Sequence, residues 1–170
     1  MDHGTDVRIS VDGMLVNQRS HGHGQGWADT NFIIPELIGG LQYMKGPYYA
    51  SQGDFSSAGV VSLGYLDKLP QGIATYGLGQ QGFMRGLVAK SHEVGAGNFL
   101  YAFELLTKDG PWVKHEDYKK FNGVLRYSRD NGPTKFNITA MGYGAKWNAT
   151  DQIPQRGVES GYVSRLGSID

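Results

Sequence analysis

Apolar and polar residues alternate along most of the second half of the chain, with the period of two that is typical of β-strands. In the clearest example, Asn98–Thr107, Glu104 lies on one face and the opposite face is aromatic and aliphatic. That opposite face carries Phe99, Tyr101, Phe103 and Leu105. The pattern between residues 72 and 170 predicts about six strands. They are Gly72–Gly79, Phe83–Lys90, Asn98–Thr107, Phe121–Arg129, Lys135–Ala145 and Gly161–Gly167.

The connections between these predicted strands alternate in length. The turns at 95–97 and 130–133 are short, whereas the loops at 108–120 and 146–156 are long. Antiparallel strands joined in this way place the short turns at one end of the sheet and the long loops at the other. Outer-membrane β-barrels have this asymmetry, but soluble up-and-down barrels share it. The pattern alone therefore leaves a membrane barrel and a soluble β-sheet protein both open.

Residues 1–67 show a different sequence pattern, with short predicted elements and many turn residues. Asp12-Gly13 between two apolar triplets predicts a β-hairpin, because both central residues of a type I′ turn need positive φ. Pro35 predicts the start of a short helix, about two turns long, that ends at Gly39-Gly40. Strands are expected at Leu41–Lys45, before the break at Gly46-Pro47, and at Gly59–Leu66. This region is therefore expected to be a small α/β unit.

Composition narrows the functional classes. The chain has 170 residues and a formal net charge of zero, so it offers no general electrostatic attraction for nucleic acid. It contains no cysteine, which excludes disulfides and thiolate-ligated metals. No apolar run is long enough for a transmembrane helix. The first residues lack the basic and apolar regions of a secretory signal, so we expect either a cytosolic chain or one whose start lies upstream.

Several segments resemble a known family. The hairpin 11–17, the block 34–38 followed by 41–47, and the segment 49–61 are similar, in order and spacing, to the later part of the plug domain of TonB-dependent outer-membrane receptors. The segments 109–112 and 147–154 look like loops from one branch of these receptors. The resemblance covers nearly the whole chain.

This resemblance implies a fold and a function. Residues 1–67 correspond to the C-terminal part of a plug, and residues 72–170 to the first strands of an incomplete, open, antiparallel transmembrane β-barrel. The complete parent is expected to lie in the cell outer membrane and to take up a scarce nutrient such as an iron chelate (a siderophore), cobalamin or a carbohydrate. Its expected partners are the nutrient, the TonB energy-coupling protein and outer-membrane lipid, with no enzymatic activity and no cofactor.

The expected ligand contacts lie in the plug loop and in the outer loops. They are His21, His23, Gln25, Trp27, Trp112 and Trp147. Imidazole ligates several transition metals, but two histidines without a neighbouring acid or thiol are a weak signal, so no metal site is predicted. Turn chemistry accounts for a second set of residues. Its members are Asp12, Gly13, Lys45, Gly46 and Pro47, to which Gly59 is added as a point of close backbone approach between plug and barrel.

Two alternatives remain at this stage. A soluble β-rich binding module fits the short length and the lack of a signal sequence. An enzyme that uses the histidine-rich loop with Asp29 is the weakest alternative, because no nucleophile, base and orienting group can be assembled by spacing. On the polar faces of successive strands, we also expect Glu104 and Arg126 to pair.

Overall fold

A computed structural model describes residues 4–21, 24–150 and 152–169, without the side chains of residues 21, 24 and 25. The fold is mainly β, as predicted, and it divides into two compact units. The N-terminal unit is Met1–Leu69 and the C-terminal unit is Pro70–Asp170. Each unit has its own principal sheet, and within the described residues neither sheet closes into a barrel. The identification of the units as plug and barrel stays a prediction.

The N-terminal unit is built on a four-stranded mixed sheet in the order β2-β1-β6-β5. Its strands are β1 (Val7–Val11), β2 (Met14–Leu15), β5 (Ile38–Lys45) and β6 (Gly59–Tyr65). A separate two-stranded ribbon consists of β3 (Ser20–His21) and β4 (Gly24–Gln25). Strands β1 and β6 are parallel, from Val7 opposite Gly59 to Val11 opposite Leu63. Two short 3-10 helices, Pro35–Leu37 and Ala50–Gln52, lie in the connections.

The predicted hairpin at Asp12-Gly13 is confirmed. Strands β1 and β2 are antiparallel, and φ is 49° at Asp12 and 80° at Gly13. Positive φ at both central positions is what a type I′ turn requires. The turn is also tied to β6, because the Asp12 carboxylate accepts a hydrogen bond from the Tyr65 amide at 3.0 Å.

The predicted helix from Pro35 to Gly39-Gly40 is wrong. Proline does open a helical turn, but this turn is a 3-10 helix that ends at Leu37, and Ile38 already begins β5. Gly39 and Gly40 lie inside that strand, at a break in register with β6. Two contacts with β6 and the residue after it replace further helical hydrogen bonds. Ile38 pairs with Tyr65, and the Leu66 amide donates to the Leu37 carbonyl at 2.8 Å. Tertiary pairing thus overrides the local signal for a helix.

The C-terminal unit is a five-stranded antiparallel sheet in which each strand pairs with the next in sequence. Its strands are β7 (Ile73–Leu78), β8 (Met84–Val94), β9 (Gly97–Lys108), β10 (Tyr118–Asp130) and β11 (Lys135–Lys146). The short turns 95–96 and 131–134 fall at one end of this sheet. The loops 79–83 and 109–117 fall at the other, which is called the loop end below. The predicted asymmetry of the connections is therefore present, although the long loops are shorter than expected.

The sixth predicted strand, Gly161–Gly167, is wrong. The chain instead forms a short helix, α1 (Gln155–Glu159), followed by turns. Gly161 ends the helix in a Schellman arrangement, because its amide donates to Val158 and the Tyr162 amide donates to the Gly157 carbonyl. The segment carries too few alternating apolar residues to compete with this local cap. The described part of the sheet therefore has five strands rather than about six.

The two faces of the five-stranded sheet differ in burial and in charge. The buried face, called the polar face below, contains charged and amide side chains among small and aliphatic ones. Its buried members are Leu87, Ala89, Leu100, Ala102, Glu104, Asn122, Val124, Arg126 and Ser128. The other face, called the apolar face, is exposed, with Phe103 44% and Leu105 63% accessible. Its other large exposed members are Tyr76, Leu78, Met84, Val88, Val94, Phe121, Leu125, Phe136 and Ile138.

The N-terminal unit has the conventional arrangement, with an apolar core. Its buried hydrophobic residues are Val11, Ile33, Ile34, Leu37, Val60, Tyr65 and Leu69. Asn17 is buried beside them and ties the start of the unit together. Its side chain accepts from the Ile9 amide at 2.7 Å and donates to the carbonyls of Gly4 and Val7. Within the described ranges, no helix has the length and apolar content needed to cross a membrane.

Candidate functional site

The most elaborate side-chain arrangement lies on the polar face of the five-stranded sheet. Register places Glu104 of β9 directly opposite Asn122 of β10 and Leu87 of β8. Alternation along each strand brings Arg85 and Lys120 to the same face, next to Glu104. Three consecutive strands thus contribute one group of polar side chains, called the Glu104 network below.

Both oxygens of the buried Glu104 carboxylate are engaged. Arg85 Nε lies 2.6 Å from Oε1, and Lys120 Nζ lies 2.9 Å from Oε2. The Asn122 amide also donates to Oε2, at 2.8 Å. Glu104 is only 1% exposed, and a buried carboxylate needs this degree of compensation to remain charged. Because its lone pairs are taken by these donors, the carboxylate is arranged to join three strands and is poorly placed to act as a general base.

A second polar group follows along the same face. Arg126, which lies opposite Leu100, donates through Nη1 to Thr139 Oγ1 at 2.7 Å and to Asn137 Oδ1 at 3.3 Å. These two partners of Arg126 lie on β11, whereas those of Glu104 lie on β8 and β10. Glu104 and Arg126 therefore have these partners instead of the expected pairing with each other. The reason is the register, in which Arg126 lies opposite Leu100, four residues along β9 from Glu104.

Trp112 lies in the loop 109–117, at the loop end of the sheet. Its indole nitrogen donates to Glu116 Oε1 at 3.2 Å, and Glu116 Oε2 lies 3.2 Å from Lys108 Nζ. These three residues line a cavity of about 400 Å³ whose opposite wall is formed by the turn between β7 and β8. That wall consists of Gly79, Gln80, Gln81 and Phe83. Trp112, one of the predicted ligand contacts, therefore lines a pocket whose lining also includes Gln80 and Gln81.

Trp147 lies just after β11, at the same end of the sheet. Its ring is 54% exposed, with its centroid 6.1 Å from that of Tyr118. The following residue, Asn148, donates its backbone N–H to the Glu116 carbonyl at 2.7 Å. This bond holds the chain after β11 against the loop 109–117. Trp112 and Trp147 therefore belong to one loop cluster.

The remaining predicted ligand contacts belong to the N-terminal unit. Trp27 is half-buried, and its carbonyl accepts from the Gln18 amide at 2.8 Å. His23 lies outside the described residues, and so do the side chains of His21 and Gln25. The role of these residues as ligand contacts stays a prediction.

The residues assigned to turn chemistry occupy strand ends. Lys45 ends β5, and its ammonium lies 6.0 Å from the centre of the Tyr43 ring. The Gly46 amide donates to the Ala58 carbonyl at 2.9 Å, just before Pro47 leaves the sheet. Gly59 is closely approached by β5, because a Cβ atom there would lie 2.5 Å from the Met44 carbonyl oxygen. The close approach found at Gly59 is therefore within the sheet of its own unit.

One cluster was missed by sequence reasoning. Asp109, His115 and Asp117 each offer a ligand atom, and these atoms lie within 4.8 Å of one another. Carboxylate and imidazole donors of this kind are compatible with a divalent metal such as zinc. The loop conformation brings them together, and the spacing of the three residues alone gave no recognisable motif.

No protein-family model and no curated protein matches the chain.

Proposed function

We propose that this chain is part of a TonB-dependent outer-membrane receptor for active uptake of a scarce nutrient. In this proposal the N-terminal unit is the later part of the plug. The C-terminal unit forms the first strands of the barrel, with lipid against the apolar face. Iron chelates, cobalamin and carbohydrates remain the nutrient classes that the sequence resemblance implies.

The observation that carries the proposal is the exposed apolar face of the five-stranded sheet, opposite a face that buries a charged network. A soluble sheet buries its apolar face and exposes its polar one, whereas a transmembrane barrel presents apolar residues outward to lipid and polar ones inward. Here Phe103 and Leu105 are exposed while Glu104, between them in sequence, is 1% exposed. An exposed apolar patch of this extent marks an interaction surface.

Strand length supports the same proposal. Strands β8 to β11 have 11, 12, 13 and 12 residues. A tilted strand needs about 9–11 residues to cross a bilayer, so each is long enough. Backbone groups in lipid must be paired, and the central strands β8, β9 and β10 pair on both sides.

The loop cluster around Trp112 and Trp147 fits the ligand-binding part of the proposal. In the proposed orientation, the loop end of the sheet faces the outside of the cell, where these receptors meet their nutrient. The cavity beside Trp112 combines an aromatic ring with the amides of Gln80 and Gln81, groups that hold polar ligands well. No covalent chemistry is required, since uptake needs only binding coupled to a rearrangement that the TonB partner drives.

Cysteine labelling of intact Gram-negative cells that express the gene tests the proposal, because the chain has no cysteine of its own. Val113→Cys lies in the loop 109–117 and is 73% exposed, whereas Asn131→Cys lies in the turn between β10 and β11. A membrane-impermeant maleimide added outside should label position 113 in intact cells, and position 131 only after the outer membrane is permeabilised. Equal labelling of both positions, or recovery of the protein in the cytosolic fraction, would favour the soluble binding module instead.

A further inference from the structure

Two lysines face each other at the loop end of the apolar face. Lys119 of β10 lies directly opposite Lys146 of β11 in the register. Alternation places both on the same side of the sheet as Phe121 and Gly144. Like charges directly opposite each other on neighbouring strands destabilise the pair. The arrangement therefore calls for an anion near both ammonium groups.

Two other strand lysines at this end of the sheet are neutralised within the unit. Lys120 pairs with Glu104 at 2.9 Å, and Lys108 pairs with Glu116 at 3.2 Å. Among the described residues, neither Lys119 nor Lys146 has a carboxylate within salt-bridge distance. Among the described strand residues at this end, the uncompensated lysines therefore lie on the apolar face.

An apolar groove begins beside these two lysines. It has a volume of about 500 Å³ and passes over the paired ends of β9, β10 and β11. Leu105 and Phe121 contribute apolar surface to it. Gly144 keeps the groove open, because a Cβ atom there would meet nothing within 4 Å. A hydrocarbon chain could lie along this groove while a charged end remains at the lysines.

We propose that the apolar face binds a phosphate-bearing membrane lipid, with the phosphate between Lys119 and Lys146 and an acyl chain in the groove over Gly144. A free inorganic anion would use the lysines but leave the groove unfilled, and a neutral lipid would fill the groove but leave the lysines unpaired. Only an anionic amphiphile satisfies both. This inference rests on the proposed function, since it places the apolar face in the bilayer and the loop end at the outer leaflet.

The fluorescence of an environment-sensitive dye on Thr107→Cys provides the test, because Thr107 lines the groove directly opposite Lys119 and the chain has no cysteine of its own. The full chain, held in neutral detergent micelles, is titrated with dioctanoyl phosphatidic acid, with dioctanoylglycerol and with inorganic phosphate. We expect a saturable change with phosphatidic acid and none at the same concentrations of the other two. A lysine near an anionic lipid surface contributes enough that Lys119→Gln with Lys146→Gln should weaken binding on the order of tenfold.

Lys90→Gln with Lys114→Gln is the matched control. It also removes two positive charges, but one comes from the turn half of the apolar face and the other from the loop 109–117. The control should bind phosphatidic acid as the parent does, and circular dichroism should show the same β content for all three proteins. The inference is overturned if both double variants lose affinity equally or if neither does. It is also overturned if inorganic phosphate or dioctanoylglycerol produces the same saturable change.

A brominated detergent separates this inference from the proposed function. A fluorophore on Phe103→Cys should be quenched by the detergent if the apolar face lies in the apolar phase. Quenching without selective binding of phosphatidic acid removes the lipid site alone, and absence of quenching contradicts the proposed function itself.

Discussion

The two units of this chain differ in the charged side chains that they bury. The N-terminal unit buries Ile34, Leu37 and Val60 almost completely, as a sheet in water must. In the C-terminal unit, Glu104 and Asn122 are buried in addition to aliphatic residues such as Leu87, and Phe103 is exposed. Both sheets show strand periodicity, so alternation identifies strands without saying which face meets water. The residues on the buried face of a sheet indicate whether the opposite face meets water or lipid, and these residues differ between the two units.

The largest effect is expected at the centre of the Glu104 network. Glu104→Ala removes the carboxylate shared by Arg85 and Lys120, and breaking a buried ion pair costs about 3–5 kcal/mol. Denaturant unfolding in detergent micelles measures this loss. Glu159→Ala is the control, because Glu159 is exposed and bonds only to Gln155 among the hydrogen bonds described. A loss no larger than that of the control would mean that the network does not stabilise the sheet.

In the N-terminal unit, an apolar truncation should have the greatest cost. Leu37 is fully buried, so Leu37→Ala leaves a cavity and should destabilise the unit by about 2–5 kcal/mol. Leu41→Ala on β5, where the side chain is 59% exposed, should change stability by less than about 0.5 kcal/mol. The two free energies of unfolding are compared in aqueous denaturant. Similar losses at both positions would contradict the assignment of the core.

An arginine on the apolar face of the C-terminal unit should lower stability in lipid by an amount that depends on its depth. Phe103→Arg places a charge in the middle of β9 and should cost about 2–4 kcal/mol when the protein is in neutral lipid vesicles. Val94→Arg, at the turn end of β8, is the control and should cost about 0–1 kcal/mol. Unfolding from vesicles measures both. Equal tolerance of the two arginines would show that this face does not lie in a bilayer.

The smallest effect concerns pH and belongs to the N-terminal unit. Burial raises the pKa of the Tyr65 hydroxyl from 10.0 to about 12, and the charge of Asp12 adds to the rise. The unfolded chain loses this proton at lower pH than the folded one, so stability should be constant below pH 10 and fall towards pH 12. The expected loss is about 2 kcal/mol at most. Tyr65→Phe should remove that part of the dependence, and an unchanged profile would contradict it.

Features governed by adjacent residues could be predicted from the sequence. Asp12-Gly13 forms its turn because both residues tolerate positive φ, and β9 follows from the alternation around Glu104. The helix predicted after Pro35 and the strand predicted at 161–167 were wrong, because pairing of Ile38 with Tyr65 and the cap at Gly161 decide those regions. Elements of this kind depend on contacts that the local pattern does not contain.

The candidate sites depended still more on long-range register. Lys120 reaches Glu104 only because β9 and β10 pair with Asn122 opposite Glu104. The facing of Lys119 and Lys146 requires the register of β10 with β11. The grouping of Asp109, His115 and Asp117 requires the conformation of a whole loop. None of these follows from residue spacing, whereas Trp112 and Trp147 could be placed at the loop end from the lengths of the connections.

Spin labelling along β9 in lipid vesicles tests most directly whether the apolar face meets lipid. Single cysteines at Leu100, Tyr101, Ala102 and Phe103 would each carry a nitroxide, and power-saturation spectra would report its collisions with oxygen, which concentrates in lipid, and with a water-soluble nickel chelate. Oxygen collisions should be high at 101 and 103 and low at 100 and 102, with little access for the nickel chelate at 101 and 103. Maxima at 100 and 102, or equal values at all four positions, would contradict a lipid-facing apolar surface.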